Sequence, residues 1–275
     1  MNPTSVDRYC VIGNPIAHSK SPQIHAAFAA QLGQQLRYER CLAPQDGFAA
    51  TVRELVAQGY KGANVTVPFK IEAAALATRL TERARAAGAV NTLSFIDGAI
   101  VGDNTDGPGL VADIVRNAGV ALANRRILLL GAGGAARGVM LPFLLERPAS
   151  ILVANRTVAT AEALAAQFAG HAAPVAACGF ADIEGPYDIV VNATSSSLSA
   201  QMPPVPASAF AEGTLALDMM YGSEPTPFMA AASRQGAVTR DGLGMLVEQA
   251  AEAFAVWRGV RPDTAEVFNQ LRPKK

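Results

Sequence analysis

Apolar residues fall into two kinds of run along the chain. Short, nearly continuous runs predict β-strands, and between them apolar positions recur at helical spacing, which predicts amphipathic helices. In the first part of the chain this pattern predicts strands at residues 8–13, 36–42, 62–68, 90–96 and 99–102, and helices at 23–32 and 46–58. Asp97-Gly98 separates the last two strands and is typical of a tight hairpin turn. The alternation predicts a mostly parallel α/β unit.

The alternation continues in the second part of the chain. Strands are predicted at 127–130, 150–154, 187–194, 214–220 and 237–239, and helices at 110–117, 158–168, 243–257 and 263–271. Residues 169–186 are rich in Gly, Ala and Pro and are expected to be irregular. Residues 102–109, with three glycines and a proline, are the predicted boundary between two α/β domains, 1–105 and 106–242.

The run at 127–130 leads directly into a glycine-rich turn. Gly131, Gly133 and Ala136 give the pattern G-x-G-x-x-A between a predicted strand and a predicted helix. Small residues at this spacing permit the tight turn, the approach of a pyrophosphate, and close packing of helix on strand. The same motif also occurs in turns that bind nothing, but the strand before it and the helix after it favour a dinucleotide site.

The end of the next strand indicates which dinucleotide is bound. Asn155-Arg156-Thr157 stands where NAD-binding folds usually place an acidic residue for the ribose 2′-hydroxyl. A guanidinium beside amide and hydroxyl groups suits a 2′-phosphate instead. Arg156 could also be an ordinary solvated surface arginine; its position favours the phosphate, and the predicted cofactor is NADP(H).

Polar residues in the first part suggest a second ligand. Ser21 is predicted to cap the helix at 23–32, with Pro22 in its first position. Capping requires only one serine, so the additional Ser19 suggests that the two hydroxyls hold a carboxylate. Lys70 follows the strand at 62–68, and by residue type alone it would be a solvated surface charge.

Composition excludes several classes of function. The 275 residues are 50% hydrophobic and 17% charged, with a formal net charge of zero and no basic stripe, which argues against nucleic-acid binding. No apolar run approaches the ~18 residues of a membrane helix, and the first residues contain no apolar signal core. Cys10, Cys41 and Cys178 form no C-x-x-C pair, so we expect free thiols, a cytoplasmic enzyme and no metal site.

Nine segments, in order from residue 11 to 250, resemble the shikimate dehydrogenase family. They are residues 11–22, 64–70, 89–92, 102–107, 131–137, 155–157, 192–195, 218–221 and 241–250. The resemblance implies an NADPH-dependent, reversible reduction of 3-dehydroshikimate to shikimate in aromatic amino-acid biosynthesis. It also implies a substrate domain at 1–105 completed by the C-terminal helices of 243–275, and a Rossmann-type domain at 106–242.

The resemblance assigns roles to individual residues. It implies that Lys70 and Asp106 are the catalytic pair. The residues expected to bind substrate are Ser19, Ser21, Asn64, Thr66, Asn91, Tyr221 and Gln249. The residues expected to bind cofactor are Gly131, Ala132, Gly133, Gly134, Ala135, Asn155, Arg156, Thr157, Asn192, Thr194, Met219 and Gly242.

Two departures from the family pattern keep alternatives open. Residues 158–161 lack the second basic residue that often follows Asn-Arg-Thr, and Ser197 stands where a glycine is usual. A quinate/shikimate dehydrogenase that prefers NAD, and a non-catalytic NADP sensor of the same fold, are the alternative functions. A scaffold protein would not need the paired serines. The oligomeric state is expected to be a monomer or a homodimer.

Overall fold

The computed structural model describes residues 6–194, 196 and 201–272. Ser197, where the family usually has a glycine, and Ser195 lie outside these residues. The chain divides into two units: the first runs to Gly109 and also includes Val247–Arg272, and the second spans Leu110–Leu246.

The first unit is built on a six-stranded sheet with the order β2-β1-β3-β5-β6-β4. Only β5 runs against its neighbours, so the sheet is mostly parallel, as predicted. The strands are β1 (Asp7–Gly13), β2 (Leu36–Leu42), β3 (Gly62–Val65), β4 (Arg79–Leu80), β5 (Thr92–Ile96) and β6 (Ala99–Asp103). The helices up to the start of the second unit are α1 (Ser21–Gln31), α2 (Phe48–Ala57), α3 (Lys70–Leu76), α4 (Glu82–Ala87) and α5 (Asp106–Ala112), whose last three residues belong to the second unit.

From Val247 onwards the C-terminal helix α9 (Leu243–Arg258) belongs to the first unit, as does α10 (Ala265–Leu271). Trp257 on α9 donates its indole N–H to the carbonyl of Leu93 in β5 at 3.0 Å and stacks on Tyr9 of β1. A Cβ at Gly62 would lie 2.6 Å from the Trp257 indole nitrogen, so glycine is required at that point of β3. The expectation that the last helices pack back onto the first part of the chain is confirmed.

The second unit is a fully parallel sheet with the order β12-β11-β10-β7-β8-β9. Counted from its first strand this is the 3-2-1-4-5-6 order of a dinucleotide-binding fold, which confirms the Rossmann prediction. Its strands are β7 (Arg126–Leu130), β8 (Ser150–Ala154), β9 (Val175–Cys178), β10 (Ile189–Asn192), β11 (Leu215–Asp218) and β12 (Val238–Arg240). Its helices are α6 (Gly134–Leu145), α7 (Val158–Ala166) and α8 (Pro227–Ser233).

Three local predictions were wrong. The segment 169–186, expected to be irregular, contains the edge strand β9, whose four residues are too short to show an alternating pattern. Ser21 is not a cap: Lys20 already has helical backbone angles, and its carbonyl accepts the N–H of Ile24. The helix expected from residue 110 begins at Asp106, because Asn104 Oδ1 accepts the N–H of Asp106 at 3.2 Å and so ends the preceding strand segment.

No helix in the described part of the chain is long and apolar enough to cross a membrane. All three cysteines of the chain are free thiols, of which only Cys10 is fully buried.

Candidate active site

Lys70 and Asp106 form an ion pair in the first unit. They are the first residues of α3 and α5, and Lys70 Nζ lies 2.7 Å from Asp106 Oδ2. The lysine side chain is 34% exposed and the aspartate side chain 17%. The ammonium group is therefore accessible to a ligand, while a partly shielded carboxylate orients it. An ammonium held in this way can donate a proton to an oxygen that is gaining negative charge.

Asn91 joins this pair to a buried polar network. Its Nδ2 donates to Asp106 Oδ1 at 2.9 Å, to Thr105 Oγ1 at 3.0 Å and to Gln249 Oε1 at 3.4 Å. Its Oδ1 accepts the backbone N–H of Thr105 at 2.7 Å, and this bond fixes the orientation of the amide. The structure thus brings four of the expected site residues, Lys70, Asn91, Asp106 and Gln249, into one hydrogen-bonded group.

Asn64, near the end of β3, is held in place by hydrogen bonds from both ends of its amide group. Its Oδ1 accepts the hydroxyl of Tyr38 at 2.7 Å, and its Nδ2 donates to the carbonyl of Asn91 and to Thr92 Oγ1. Burial raises the pKa of Tyr38, so its hydroxyl stays protonated and remains a donor. His25 stacks on the Tyr38 ring at 4.1 Å, and burial lowers the pKa of His25 to about 3, so the imidazole is neutral near pH 7.

Ser19 and Ser21 lie at the start of α1 with their hydroxyls in contact. Ser19 Oγ is 3.2 Å from Ser21 Oγ, and it accepts the backbone N–H of Ser21 at 3.3 Å. Arg40 on β2 donates two hydrogen bonds to the carbonyl of Ser19, at 3.1 Å from Nε and 2.6 Å from Nη2. The two hydroxyls form a small polar cluster whose backbone is fixed by a guanidinium.

Two glycines allow the close packing that places two expected site residues, Gln249 and Thr66. A Cβ at Gly109 would lie 2.6 Å from the backbone nitrogen of Gln249, so α5 and α9 approach each other closely at this position. A Cβ at Gly13 would lie 2.6 Å from Thr66 Cγ2, so Gly13 leaves the space that the threonine occupies. Close packing at these two positions helps to place Gln249 and Thr66.

The glycine-rich turn of the second unit joins β7 to α6. Gly131 has a φ of +102°, and a Cβ there would also lie 3.2 Å from Thr194 Cγ2. At Gly133 and Gly134, by contrast, a Cβ would meet no protein atom within 4 Å. Gly133 is the N-cap of α6 and offers no side chain to cap it. The first N–H groups of α6 therefore border an open space, which suits a pyrophosphate.

Asn155, Arg156 and Thr157 follow β8 directly. Asn155 Nδ2 donates to the carbonyl of Thr157 at 3.0 Å, which holds the turn before α7. Arg156 is exposed, and within the described ranges no carboxylate lies within salt-bridge distance of it. Its charge is thus available to a phosphate.

The loop after β10 is held by a buried carboxylate. Asp218 Oδ2 accepts Asn192 Nδ2 at 3.1 Å and the hydroxyl of Thr226 at 2.7 Å. Asn192 Oδ1 in turn accepts the backbone N–H and the hydroxyl of Thr194. The fully buried Asn192 side chain therefore fixes Thr194, which is partly exposed beside Gly131.

Three further expected site residues lie near the same strand ends of the second unit. The N–H of Met219 donates to the carbonyl of Asn192 at 3.0 Å, and Gly242 lies directly against the Met219 carbonyl, where no side chain would fit. Tyr221 is 38% exposed, and partial burial raises its pKa.

Models of known families match the chain in three consecutive segments. The shikimate dehydrogenase substrate binding domain matches residues 11–93, shikimate / quinate 5-dehydrogenase matches 113–202, and the shikimate 5′-dehydrogenase C-terminal domain matches 242–272. A protein of Janthinobacterium sp. (strain Marseille) named shikimate dehydrogenase (NADP(+)) is 61% identical over 98% of this chain and 99% of its own. The chain belongs to the shikimate dehydrogenase family.

Solved structures agree with membership of the shikimate dehydrogenase family. The Ael1 enzyme from Pseudomonas putida superposes with a TM-score of 0.94 at 51% identity, covering 98% of this chain and 99% of that one. The shikimate 5-dehydrogenase from Thermus thermophilus, solved in complex with NADP(H) and shikimate, gives a TM-score of 0.85 at 32% identity. That comparison covers 96% of this chain and 97% of the other.

Several residues that organise the site in this family member were missed from the sequence. Tyr38, Arg40, Thr105 and Asp218 contact the expected site residues without having been predicted to do so. Tyr38 and Arg40 share one face of β2 because they are two residues apart. That spacing was visible in the sequence, but which strand or loop the two side chains contact depends on the pairing of β2 with β1.

Proposed function

We propose that the chain catalyses the NADP-linked interconversion of 3-dehydroshikimate and shikimate. The observation that carries this proposal is the group formed by Lys70, Asp106, Asn91 and Gln249, in a chain 61% identical to a protein named shikimate dehydrogenase (NADP(+)). The reaction is a step of the shikimate pathway, which leads to the aromatic amino acids.

NADPH, when bound, supplies the hydride that reduces the substrate ketone. Lys70 Nζ then provides the proton for the oxygen on which negative charge develops, and in the reverse direction it accepts that proton. Asp106 Oδ2 directs the ammonium group, while Asp106 Oδ1 is fixed by Asn91. Because all three groups are already hydrogen-bonded to one another, they need little reorganisation when the reaction begins.

The other polar residues of the first unit suit a small polyhydroxylated acid. Asn64, Thr66, Asn91 and Gln249 offer amide and hydroxyl groups for the substrate hydroxyls, and we assign the carboxylate to Ser19 and Ser21. The family resemblance also assigns Tyr221, which is 38% exposed, to the substrate. These assignments make the first unit the substrate domain.

The second unit has the features that NADP(H) requires. We assign the pyrophosphate to residues 131–135 and the first turn of α6, because the space at Gly133 and Gly134 is open. Asn155, Arg156 and Thr157 receive the 2′-phosphate. Thr194, Met219 and Gly242, with the loop that Asn192 holds, receive the nicotinamide end. We also propose a cytoplasmic enzyme that acts as a monomer or a homodimer; the three free thiols favour a reducing compartment.

Side-by-side kinetics test the function against its nearest rival. The purified protein should oxidise shikimate with NADP much faster than quinate with NAD, as followed by absorbance at the nicotinamide band. A preference for quinate and NAD would favour a quinate/shikimate dehydrogenase, and no turnover with either pair would favour a non-catalytic NADP-binding protein.

Arg156→Ala is expected to weaken NADP binding by about 10- to 150-fold, because hydrogen bonds to charged groups contribute about 1.5–3 kcal/mol. NAD lacks the 2′-phosphate, so its affinity should be almost unchanged. Fluorescence titration with both cofactors measures the difference. Arg234→Ala, which removes another exposed arginine of the second unit, is the matched control. Equal losses for NADP and NAD would show that Arg156 does not contact the phosphate.

The double variant Ser19→Ala/Ser21→Ala is expected to raise KM for shikimate while leaving KM for NADP nearly unchanged. The hydroxyls are hydrogen-bond donors to a carboxylate, and a neutral carboxamide analogue of shikimate should lose less binding when they are removed. Dissociation constants for the acid and the amide measure this. If both ligands lose the same factor, the serines serve only the local structure of α1.

A further inference from the structure

The guanidinium of Arg40 binds the carbonyl of Ser19, but Arg40 has no assigned part in binding the substrate itself. Arg40 lies on β2 and is exposed. It donates from Nε at 3.1 Å and from Nη2 at 2.6 Å to the same carbonyl oxygen. No other hydrogen bond of Arg40 is found among the described residues, which leaves Nη1 and one proton of Nη2 available. The guanidinium is therefore fixed in place without its donors being exhausted.

The charge of Arg40 is not neutralised within the first unit. In the described part of the chain no carboxylate lies within 4.0 Å of it. The adjacent Glu39 points to the other face of β2, where Arg8, Arg37 and Tyr60 bind its carboxylate. A guanidinium that is held in place by two hydrogen bonds and keeps its charge available suits an anion from solution.

The anion that fits is the one assigned to the serines. The Ser19 carbonyl belongs to the same residue as the Ser19 hydroxyl, so the guanidinium lies within roughly 7 Å of that hydroxyl. Besides Lys20, which stands between the two serines in the sequence, Arg40 is a cation that the structure holds against Ser19. We propose that Arg40 is a specificity residue that supplies the positive charge for the substrate carboxylate at Ser19 and Ser21. This inference rests on the proposed function, because it takes an acid as the substrate.

Arg40 has two separable effects in this proposal. Its hydrogen bonds position the backbone of Ser19 and so affect the binding of any ligand of the serines. Its charge attracts only a ligand that is an anion. At about 7 Å and an effective dielectric constant between about 20 and 80, one charge changes the affinity of a carboxylate by about 3- to 50-fold, and salt reduces this effect. The positioning effect should change the affinity of an acid and of its neutral amide alike, whereas the charge should change the affinity of the acid alone.

The test compares Arg40→Gln, Arg40→Lys and the matched control Arg37→Gln. Arg37 lies on the same strand, its side chain is 69% exposed, and its replacement changes the net charge by the same amount. Thermal unfolding confirms that each variant is folded. For each, kcat and KM are measured for shikimate with saturating NADP, at low and high salt. Dissociation constants are measured for shikimate and for its carboxamide.

Arg40→Gln is expected to raise KM and the dissociation constant for shikimate by about 3- to 50-fold, with kcat within about 2-fold of the wild type. Carboxamide binding should change little, Arg40→Lys should retain most of the affinity for the acid, and Arg37→Gln should behave as the wild type. The wild-type KM should rise with salt, and this dependence should be weaker in Arg40→Gln.

Equal losses for acid and amide in Arg40→Gln would overturn the charge role and leave Arg40 as a backbone anchor. An unchanged salt dependence of KM in Arg40→Gln would overturn it independently, even if the amide binds too weakly for a comparison. If Arg37→Gln raised KM for shikimate by a similar factor, the attraction would come from the overall positive charge around the strand and not from Arg40 in particular. Failure of the proposed function is distinct from these outcomes, because the wild-type protein would then prefer quinate with NAD or turn over neither substrate.

Discussion

Lys70→Ala is expected to lower kcat and kcat/KM for shikimate oxidation together, by about 10²- to 10⁴-fold, the usual contribution of a general acid or base. KM should stay nearly constant, because proton transfer stabilises the transition state more than the bound substrate. Lys70 belongs to the first unit, so NADP affinity should survive. Steady-state kinetics and a fluorescence titration with NADP measure these quantities.

Lys61→Ala is the matched control for Lys70→Ala. Lys61 is an exposed lysine of the same unit, and its removal should leave kcat unchanged. Deuterium at the carbon that loses hydride shows whether hydride transfer limits turnover in each enzyme. If hydride transfer limits turnover and Lys70→Ala still keeps kcat within a few-fold of the wild type, Lys70 is an ordinary surface charge.

Asp106→Asn tests the other half of the ion pair. The substitution keeps the shape, and with Oδ1 still accepting Asn91 Nδ2 it places an NH₂ group, which cannot accept from Lys70 Nζ, at the position of Oδ2. It should therefore slow turnover and also raise KM, because Asp106 is expected to contact a substrate hydroxyl. A variant with kcat and KM both unchanged would contradict that role.

The strand and helix pattern was largely visible in the sequence because both sheets are built from buried runs bounded by glycine, proline and polar residues. The strand at 127–130 and the G-x-G-x-x-A turn after it predicted β7 and α6 correctly, since strand, turn and helix each leave a separate signal. The edge strand β9 was missed, because four partly buried or exposed residues bear no pattern. The strand order of the second sheet could be expected from the motif and the family, whereas the order of the first sheet is known only from the strand pairing in the structure.

The residue types of the candidate site, at the ends of strands and helices, could be predicted from the sequence. The hydrogen bonds and ion pairs between them could not. The sequence places Lys70 and Asp106 apart by 36 positions, and only the packing of α3 and α5 brings them within 2.7 Å. Tyr38 and Arg40 illustrate the limit more clearly. Their hydrogen bonds depend on the register of β1 with β2, which no local pattern encodes.

A chain of ion pairs holds α9 and the segment after it onto the first unit. Arg83 makes a bidentate contact to Asp103 and also binds Glu252, which in turn binds Arg261. Arg261 Nη2 then lies 2.7 Å from Glu248, whose side chain is only 1% exposed. Burial alone would raise the pKa of Asp103, but hydrogen bonds from Arg83 and Thr81 outweigh it and lower that pKa. The stabilisation from Asp103 is therefore present above its unfolded pKa of about 3.9 and is lost as pH falls through the lower folded value.

Arg261→Leu is expected to lower the stability of the first unit by about 3–5 kcal/mol, because it leaves the buried Glu248 without its guanidinium. Urea unfolding followed by the fluorescence of Trp257, the only tryptophan of the chain, reports on α9 directly. The double variant Arg261→Leu/Glu248→Leu removes both charges and should recover most of the loss, since a buried pair contributes little over apolar residues. Because Gln249 is next to Glu248 and bonds Asn91, KM for shikimate should rise in the single variant and partly recover in the double one. An unchanged urea midpoint in Arg261→Leu, or a double variant no more stable than the single, would show that Glu248 does not depend on this arginine for its charge compensation.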